Sequence, residues 1–217
     1  STRQWTGQAL TQIIKNSRVL IRQGLSGSGK RIGLLGGSFN PAHDGHIHIS
    51  QEALKHLDLD KVWWIVSPQN PLKGTEGMAP FKERINYARK FIKDPRILVT
   101  DIEDQINTRY TIDSIKKIQR SFIEKQFVWI MGADNLLQIP QWKNWEELFS
   151  TVPIAIFDRA PYSVKALSGK AAQVFHQSRL PTQYARKLAN FKPPAWSFFP
   201  VPLHPATATE IRGRNDP

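Results

Sequence analysis

The chain has 217 residues, with 30 Lys and Arg against 18 Asp and Glu, which gives a formal net charge of +12. It contains no Cys, which excludes disulfides, thiolate metal sites and cysteine nucleophiles. The positive charge favours anionic partners without distinguishing small nucleotides from nucleic acid. No stretch approaches the ~20 apolar residues of a membrane helix, and the N-terminus has no signal-peptide pattern, so we expect a cytoplasmic protein.

Residues 1–30 are expected to form an N-terminal extension and linker that precedes a single domain over 31–217. The stretch 24–30, GLSGSGK, formally matches the start of a P-loop. A P-loop continues with Ser or Thr to hold Mg²⁺ and follows a strand, whereas Arg31 comes next here and the preceding segment is polar and basic. The Gly- and Ser-rich composition therefore predicts a flexible linker.

From Arg31 onward, an alternation of two patterns predicts an α/β fold. Apolar, β-branched or aromatic runs predict strands that begin near Ile32, Val62, Ile97, Phe127, Ile154 and Ser197. Helical patterns between them cover 45–57, 81–92, 111–122, 135–149 and about 169–178. This spacing is typical of βαβ units. Because runs such as 62–66 are apolar on both faces, we expect a mostly parallel sheet with helices on both faces.

The stretch after the first strand has the composition of a phosphate site. Gly36 and Gly37 are followed by a polar turn with Pro41, and then by His43 and His46 at the start of a helix. Glycines let a polyanion approach the main chain, and helix N-terminal amides and imidazoles would face the same anion. A loop with a capping histidine is the simpler alternative. The combination favours a site at which a nucleoside triphosphate reacts. It lies at the carboxyl end of a strand, which is where parallel α/β sheets bind their ligands.

Several motifs carry a resemblance to a known family. The run GGSFNPAHDGH, with His43-Asp44-Gly45-His46, resembles the nucleotidyltransferase superfamily that has a His-or-Thr-x-Gly-His motif. Arg109-Tyr110-Thr111, the stretch 131–142 and the run ATATEIR at 206–212 are similar to motifs of the bacterial nicotinate-nucleotide adenylyltransferases. The resemblance implies a Rossmann-like nucleotidyltransferase fold. It also implies transfer of the adenylyl group of ATP to nicotinate mononucleotide in NAD biosynthesis, with Mg²⁺ carried on ATP and no dedicated protein cage for the metal.

The resemblance also implies roles for individual residues. His43, His46 and Arg212 would be catalytic and stabilise phosphate charge, to which cationic imidazoles would contribute most. The residues expected at ATP are Gly36, Gly37, Ser38, Phe39, Lys73, Gly132, Asp134, Thr207 and Thr209. The residues expected at nicotinate mononucleotide are Tyr110, Thr111, Trp142 and Arg159.

Three alternatives stay open at this point. Trp142, Trp145 and Phe149 recur at helical spacing, so Trp142 is as consistent with core packing as with stacking on the nicotinate ring. Within the superfamily, the acceptor could be phosphopantetheine, although the Trp142 segment and the chain length argue against it. A non-catalytic nucleic-acid binder would fit the net charge, but the basic residues are scattered. We expect no nucleic-acid or membrane partner, and a monomer or homo-oligomer.

Overall fold

Six parallel strands form one twisted sheet at the centre of the molecule. The computed structural model describes residues 25, 27, 29–69, 74 and 76–202. The strands are β1 (Arg31–Gly37), β2 (Lys61–Val66), β3 (Ile97–Thr100), β4 (Gln126–Gly132), β5 (Ile154–Phe157) and β6 (Trp196–Phe199). Their order is β3-β2-β1-β4-β5-β6, and all neighbours are parallel. Each begins within one residue of its predicted start, so the α/β prediction is confirmed.

Helices connect the strands and cover both faces of the sheet. The α-helices of the described residues are α1 (Asp44–His56), α2 (Phe81–Phe91), α3 (Ile102–Gln105), α4 (Thr111–Ser121), α5 (Ala133–Gln138), α6 (Trp145–Thr151), α7 (Ser163–Leu167) and α8 (Lys170–Val174). Short 3₁₀ helices cover Ile139–Gln141, His176–Ser178 and Thr182–Asn190. Within the described part of the chain, we find no helix with the length and apolar character that a membrane crossing requires.

The single helix predicted over 135–149 is wrong. Helix α5 ends at Gln138, a 3₁₀ turn containing Pro140 follows, and α6 begins only after Asn144. Proline removes a main-chain donor, and Asn144 has a φ of 49°, in the left-handed region that interrupts a right-handed helix. The helix predicted over 169–178 also divides, into α8 and a 3₁₀ turn. Helices α3 and α7 are too short for periodicity to predict them.

Two hydrophobic cores lie on opposite faces of the sheet. Trp63 and Trp129 project into the core beneath α4, α5 and α6, whereas Trp64, Ile130 and Phe157 project into the core beneath α1 and α2. Neighbouring strand residues point to opposite faces, so strands that are buried on both sides need continuous apolar runs. This arrangement explains why the strands could be read from the sequence.

Packing begins before the domain boundary predicted at Arg31. Leu25 is 2% exposed and lies in the core. The main-chain N–H groups of Lys30 and Arg31 donate to Asp60 Oδ2 at 2.8 and 2.9 Å. These two contacts fix the entry into β1, while residues 1–24 lie outside the described part.

Helix α1 is fixed to the sheet by a buried hydrogen-bond chain. The Trp64 indole Nε1 donates to Ser50 Oγ at 2.8 Å, and Ser50 Oγ donates to the main-chain oxygen of His46 at 2.8 Å. Ser50 and Trp64 are both fully buried. The serine hydroxyl therefore satisfies an indole donor that has no access to water, and it holds the first turn of α1 over β2.

We predict that Ser50→Ala lowers the free energy of unfolding by about 1–3 kcal/mol, because it leaves the Trp64 indole buried without an acceptor. Urea unfolding measures this loss. Ser150→Ala is the matched control, since Ser150 is exposed and its hydroxyl bonds only to Glu146 O, four residues earlier in the chain, at 3.4 Å. Equal effects of the two substitutions would contradict the prediction.

Candidate active site

A cleft of about 680 Å³ opens at the carboxyl ends of the central strands. Strand β1 lies between β2 and β4, so the chain leaves β1 at the point where the strand order changes direction and a crevice forms. All twelve predicted site residues that the structure describes line this cleft: Gly36, Gly37, Ser38, Phe39, His43, His46, Tyr110, Thr111, Gly132, Asp134, Trp142 and Arg159.

Two of the predicted glycines are required by close packing at the cleft. A Cβ atom on Gly36 would lie 2.4 Å from the Trp129 ring, and one on Gly132 would lie 2.6 Å from Asp134 Oδ1. Neither neighbour is the free end of a flexible chain, because Trp129 is buried and Asp134 is held by Arg159. The glycines thus let the ends of β1 and β4 share the floor of the cleft.

The two histidines of the HDGH motif cap helix α1. His43 is the N-cap residue, and its Nδ1 accepts a hydrogen bond from the Gly45 N–H at 3.0 Å. His46 Nδ1 accepts from the His43 N–H at 3.1 Å. Both histidines therefore cap the helix, and the functional interpretation stays compatible with this role because the capping residues also line the cleft.

This capping fixes which nitrogen of each ring carries the proton. Since both Nδ1 atoms accept, the proton of each neutral imidazole resides on Nε2. Burial lowers the pKa of His46 to about 3, with further lowering by the charges of His43 and Arg159. Without a bound anion, His46 is therefore a neutral hydrogen-bond donor at neutral pH. The contribution of a cationic imidazole in the reacting complex stays a prediction.

Aromatic packing accounts for the partial burial of His46. The ring centroids of His46 and His43 are 3.9 Å apart, and Phe39 lies 4.5 Å from His46 on the inner side. Phe39 in turn stacks on Trp64 at 4.7 Å. Because Phe39 is only 1% exposed, its side chain supports the imidazole from within the core.

Asp134 and Arg159 form an ion pair in the cleft wall. Arg159 Nη1 lies 3.2 Å from Asp134 Oδ2, while Asp134 Oδ1 is buried without a hydrogen-bond partner. A buried acceptor without a partner costs free energy unless a ligand satisfies it. The Asp134 side chain as a whole is 23% exposed at the cleft, so its carboxylate can accept a hydrogen bond from a bound hydroxyl.

The opposite wall of the cleft contains the N-terminus of helix α4. Tyr110 is the N-cap residue and makes no side-chain cap, and Thr111 is the first helical residue. The first-turn N–H groups of a helix lack partners within it and attract anions. Lys143 Nζ lies 4.7 Å from the centre of the Tyr110 ring and 3.0 Å from Asp113 Oδ2. This wall is suited to hold a carboxylate.

The structure separates Trp142 from the aromatic residues with which it shares a helical spacing. Trp145 and Phe149 are buried, 8% and 0% exposed, and their rings contact each other edge to face. Trp142 precedes the left-handed Asn144, packs at the edge of the same core and also lines the cleft. Its placement is consistent with both interpretations, core packing and a ligand contact.

Two buried charged residues beside the cleft were missed by the sequence reasoning. Glu103 is 6% exposed, lines the cleft and accepts from Ser114 Oγ at 2.9 Å. Burial raises the pKa of Glu103 to about 7. Arg84 is 3% exposed and bonds to the turns after β1 and β2. Nothing in the sequence distinguishes Glu103 from Asp104 beside it.

Four predicted residues lie outside the described part of the chain: Lys73, Thr207, Thr209 and Arg212. Among the residues that are described, no group of three or more His, Asp or Glu side chains could hold a metal ion.

Comparison with known proteins identifies the family. The cytidylyltransferase-like family matches residues 34–214. The probable nicotinate-nucleotide adenylyltransferase of Parvibaculum lavamentivorans is 45% identical over 195 residues, which cover 90% of this chain and 97% of the relative. That of Methylorubrum extorquens is 46% identical over 184 residues, which cover 85% of this chain and 100% of the relative.

The fold is also shared with a more distant solved structure. The Plasmodium falciparum nicotinic acid mononucleotide adenylyltransferase complexed with NaAD has a TM-score of 0.62 and 18% identity, and the match covers 85% of this chain and 83% of that one. The chain therefore belongs to the cytidylyltransferase-like family and, within it, to the nicotinate-nucleotide adenylyltransferases.

Proposed function

We propose that this protein transfers the adenylyl group of ATP to nicotinate mononucleotide, giving nicotinate adenine dinucleotide and pyrophosphate. The observation that carries this function is the placement of the capped histidine pair and the α4 N-terminus on opposite walls of one cleft. One wall suits a triphosphate, and the other suits the carboxylate of a pyridine mononucleotide. The names of the relatives support the same reaction.

The reaction needs alignment and charge stabilisation more than proton transfer. A phosphate oxygen of the acceptor attacks the α-phosphorus of ATP, and the bond from that phosphorus to the bridging oxygen of pyrophosphate breaks. The acceptor phosphate is already ionised, so no general base is required. The Nε2–H groups of His43 and His46 would donate to phosphate oxygens as negative charge moves towards pyrophosphate.

The remaining residues divide between the two substrates. The main chain of Gly36, Gly37 and Ser38 would lie against the phosphates, and Asp134, beside Gly132, would accept from a ribose hydroxyl. Phe39 would act mainly by supporting His46. Lys73, Thr207, Thr209 and Arg212 stay predictions as further phosphate ligands. Mg²⁺ would arrive on ATP and be coordinated by phosphate oxygens and water.

On the acceptor side, Tyr110 and Thr111 would present main-chain N–H groups to the nicotinate carboxylate, and Trp142 would stack on the pyridine ring. Arg159 would contact the acceptor phosphate while it pairs with Asp134. Donors without a competing acceptor favour a carboxylate over a carboxamide. The cytoplasmic location stays a prediction.

A comparison of acceptors tests the proposed function. With ATP and Mg²⁺, we expect nicotinate mononucleotide to give pyrophosphate and the dinucleotide faster than nicotinamide mononucleotide does, because the α4 N-terminus favours an anion. Phosphopantetheine serves as the alternative acceptor. Absence of a dinucleotide product with either pyridine mononucleotide would refute the proposal, and so would a preference for phosphopantetheine.

Substitutions at His46 separate its capping role from its donor role. In His46→Asn the amide oxygen can still accept from the His43 N–H, but the Nε2–H donor is lost, so we expect kcat to fall by ~100-fold. His46→Gln places its amide group near the former Nε2 position, and we expect a smaller loss. His176→Asn, at an exposed histidine, is the control and should keep wild-type turnover. Wild-type turnover in His46→Asn would remove His46 from the mechanism.

The lowered pKa of His46 predicts acid sensitivity of the fold. Its pKa is about 3 in the folded protein against 6.5 normally, so the unfolded chain takes up a proton that the folded protein does not. The stability associated with the neutral imidazole is complete above pH 6.5 and is lost as the pH falls towards 3. Between pH 7.5 and 5, urea unfolding should show a shallower loss of stability in His46→Asn than in the wild type or His176→Asn. Equal slopes would contradict a neutral, partly buried His46.

A further inference from the structure

The guanidinium group of Arg84 lies buried behind the turn that follows β1. Arg84 belongs to helix α2 and is 3% exposed. Its Nη1 donates to Ser38 O at 2.6 Å and to Ser67 O at 2.9 Å. Its Nη2 donates to Pro68 O at 3.0 Å, and its Nε donates to Ala79 O at 2.9 Å. One side chain thus holds four main-chain carbonyls from three segments.

Other hydrogen bonds join the same segments around Arg84. The Asn40 side chain donates to Gly77 O at 3.2 Å and accepts from the Ala79 N–H at 3.1 Å. The Ser67 N–H donates to Gly37 O at 2.9 Å. The turn after β1 is therefore bonded to residues at both ends of the segment that connects β2 to α2, and Arg84 is at the centre of these contacts.

The bond from Arg84 to Ser38 also fixes the direction of a peptide group in the cleft wall. In a trans peptide, the carbonyl and the following N–H point in opposite directions. Because the Ser38 carbonyl points to Arg84, the Phe39 N–H points away from it. Phe39 has a φ of 48°, a left-handed conformation that costs a non-glycine residue about 1–2 kcal/mol. This conformation needs external support, and the bond between Arg84 and Ser38 supplies it.

We propose that Arg84 is a positioning residue for the triphosphate of ATP. It holds the main-chain N–H groups of the turn after β1 in the orientation that receives phosphate oxygens, and it places a buried positive charge behind them. This inference rests on the proposed function, which assigns that turn to ATP. Arg84 itself faces the carbonyls and does not touch the substrate.

The chemistry of arginine explains why lysine would not replace it. A guanidinium group is planar and presents five N–H donors in a rigid fork, whereas an ammonium group presents three donors around one nitrogen. Lysine at this position would keep the charge, but its single nitrogen could not donate to all four of the carbonyls that the guanidinium group reaches. The pair Arg84→Lys and Arg84→Met therefore separates the geometry of the fork from its charge.

The test compares Arg84→Lys and Arg84→Met with Arg96→Lys. Arg96 is a suitable control because its side chain is 57% exposed and pairs with Asp94 at 2.8 Å, away from the cleft residues. Steady-state kinetics give kcat and a separate KM for each substrate. Calorimetry measures binding of a non-hydrolysable ATP analogue in the absence of acceptor, and thermal unfolding reports on the fold.

We expect Arg84→Lys to raise the KM for ATP and weaken binding of the analogue by about 10-fold or more, because hydrogen bonds from a charged donor are lost. The KM for nicotinate mononucleotide should stay within about two-fold of the wild-type value. Arg84→Met should raise the KM for ATP further than Arg84→Lys does. The inference is overturned if Arg84→Lys has the same KM for ATP and the same affinity for the analogue as Arg96→Lys. It is also overturned if both KM values rise together with a lower unfolding temperature, since that pattern indicates general loosening.

The same measurements distinguish this inference from the proposed function. If the wild type forms no dinucleotide, the proposed function fails, and the calorimetric comparison of the wild type with Arg84→Lys still decides whether Arg84 positions the phosphate turn. If the wild type turns over and Arg84→Lys is unaffected, only the inference fails.

Discussion

The close contact between β1 and β4 is the constraint on which the cleft depends. At Gly36 the Trp129 ring of β4 occupies the space that a side chain would need. The pairing of β1 with β4 runs to Leu35 and Ile130, and just beyond it β1 must carry no side chain at Gly36 because the Trp129 ring lies there. The strand order changes direction there, so the position with the least room for side chains is also the position at which a ligand can approach the main chain.

The electrostatics of the histidine pair follow from this packing. His46 lies between His43 and Phe39, and the same contacts that orient its ring also remove water from it. Desolvation disfavours the charged form, so His46 is an oriented neutral donor before the substrate arrives. A polyanion that binds beside this imidazole would raise its proton affinity, so positive charge on the His46 ring would depend on the bound phosphates.

Much of the architecture could be read from the sequence, because each central strand is buried on both faces and has a continuous apolar run. The twelve predicted site residues that the structure describes come together in one cleft, since motifs at the ends of parallel strands share one edge of the sheet. The protonation of His46 could not be predicted, because it depends first on burial in the folded chain and then on the charges of His43 and Arg159. Arg84 could not be distinguished from the other basic residues of α2. By contrast, Pro140 was a visible signal that the predicted helix over 135–149 would break.

The left-handed residue Asn144 has a consequence for how this protein can change over evolution. It separates Trp145 and Phe149, which lie inside the core, from Trp142, which packs at the edge of that core and lines the cleft. Substitutions at Trp142 therefore change the cleft wall at the edge of the core rather than inside it. If the cleft binds the acceptor as proposed, the selection of an acceptor can change at this one position while the fully buried Trp145 and Phe149 continue to hold α6.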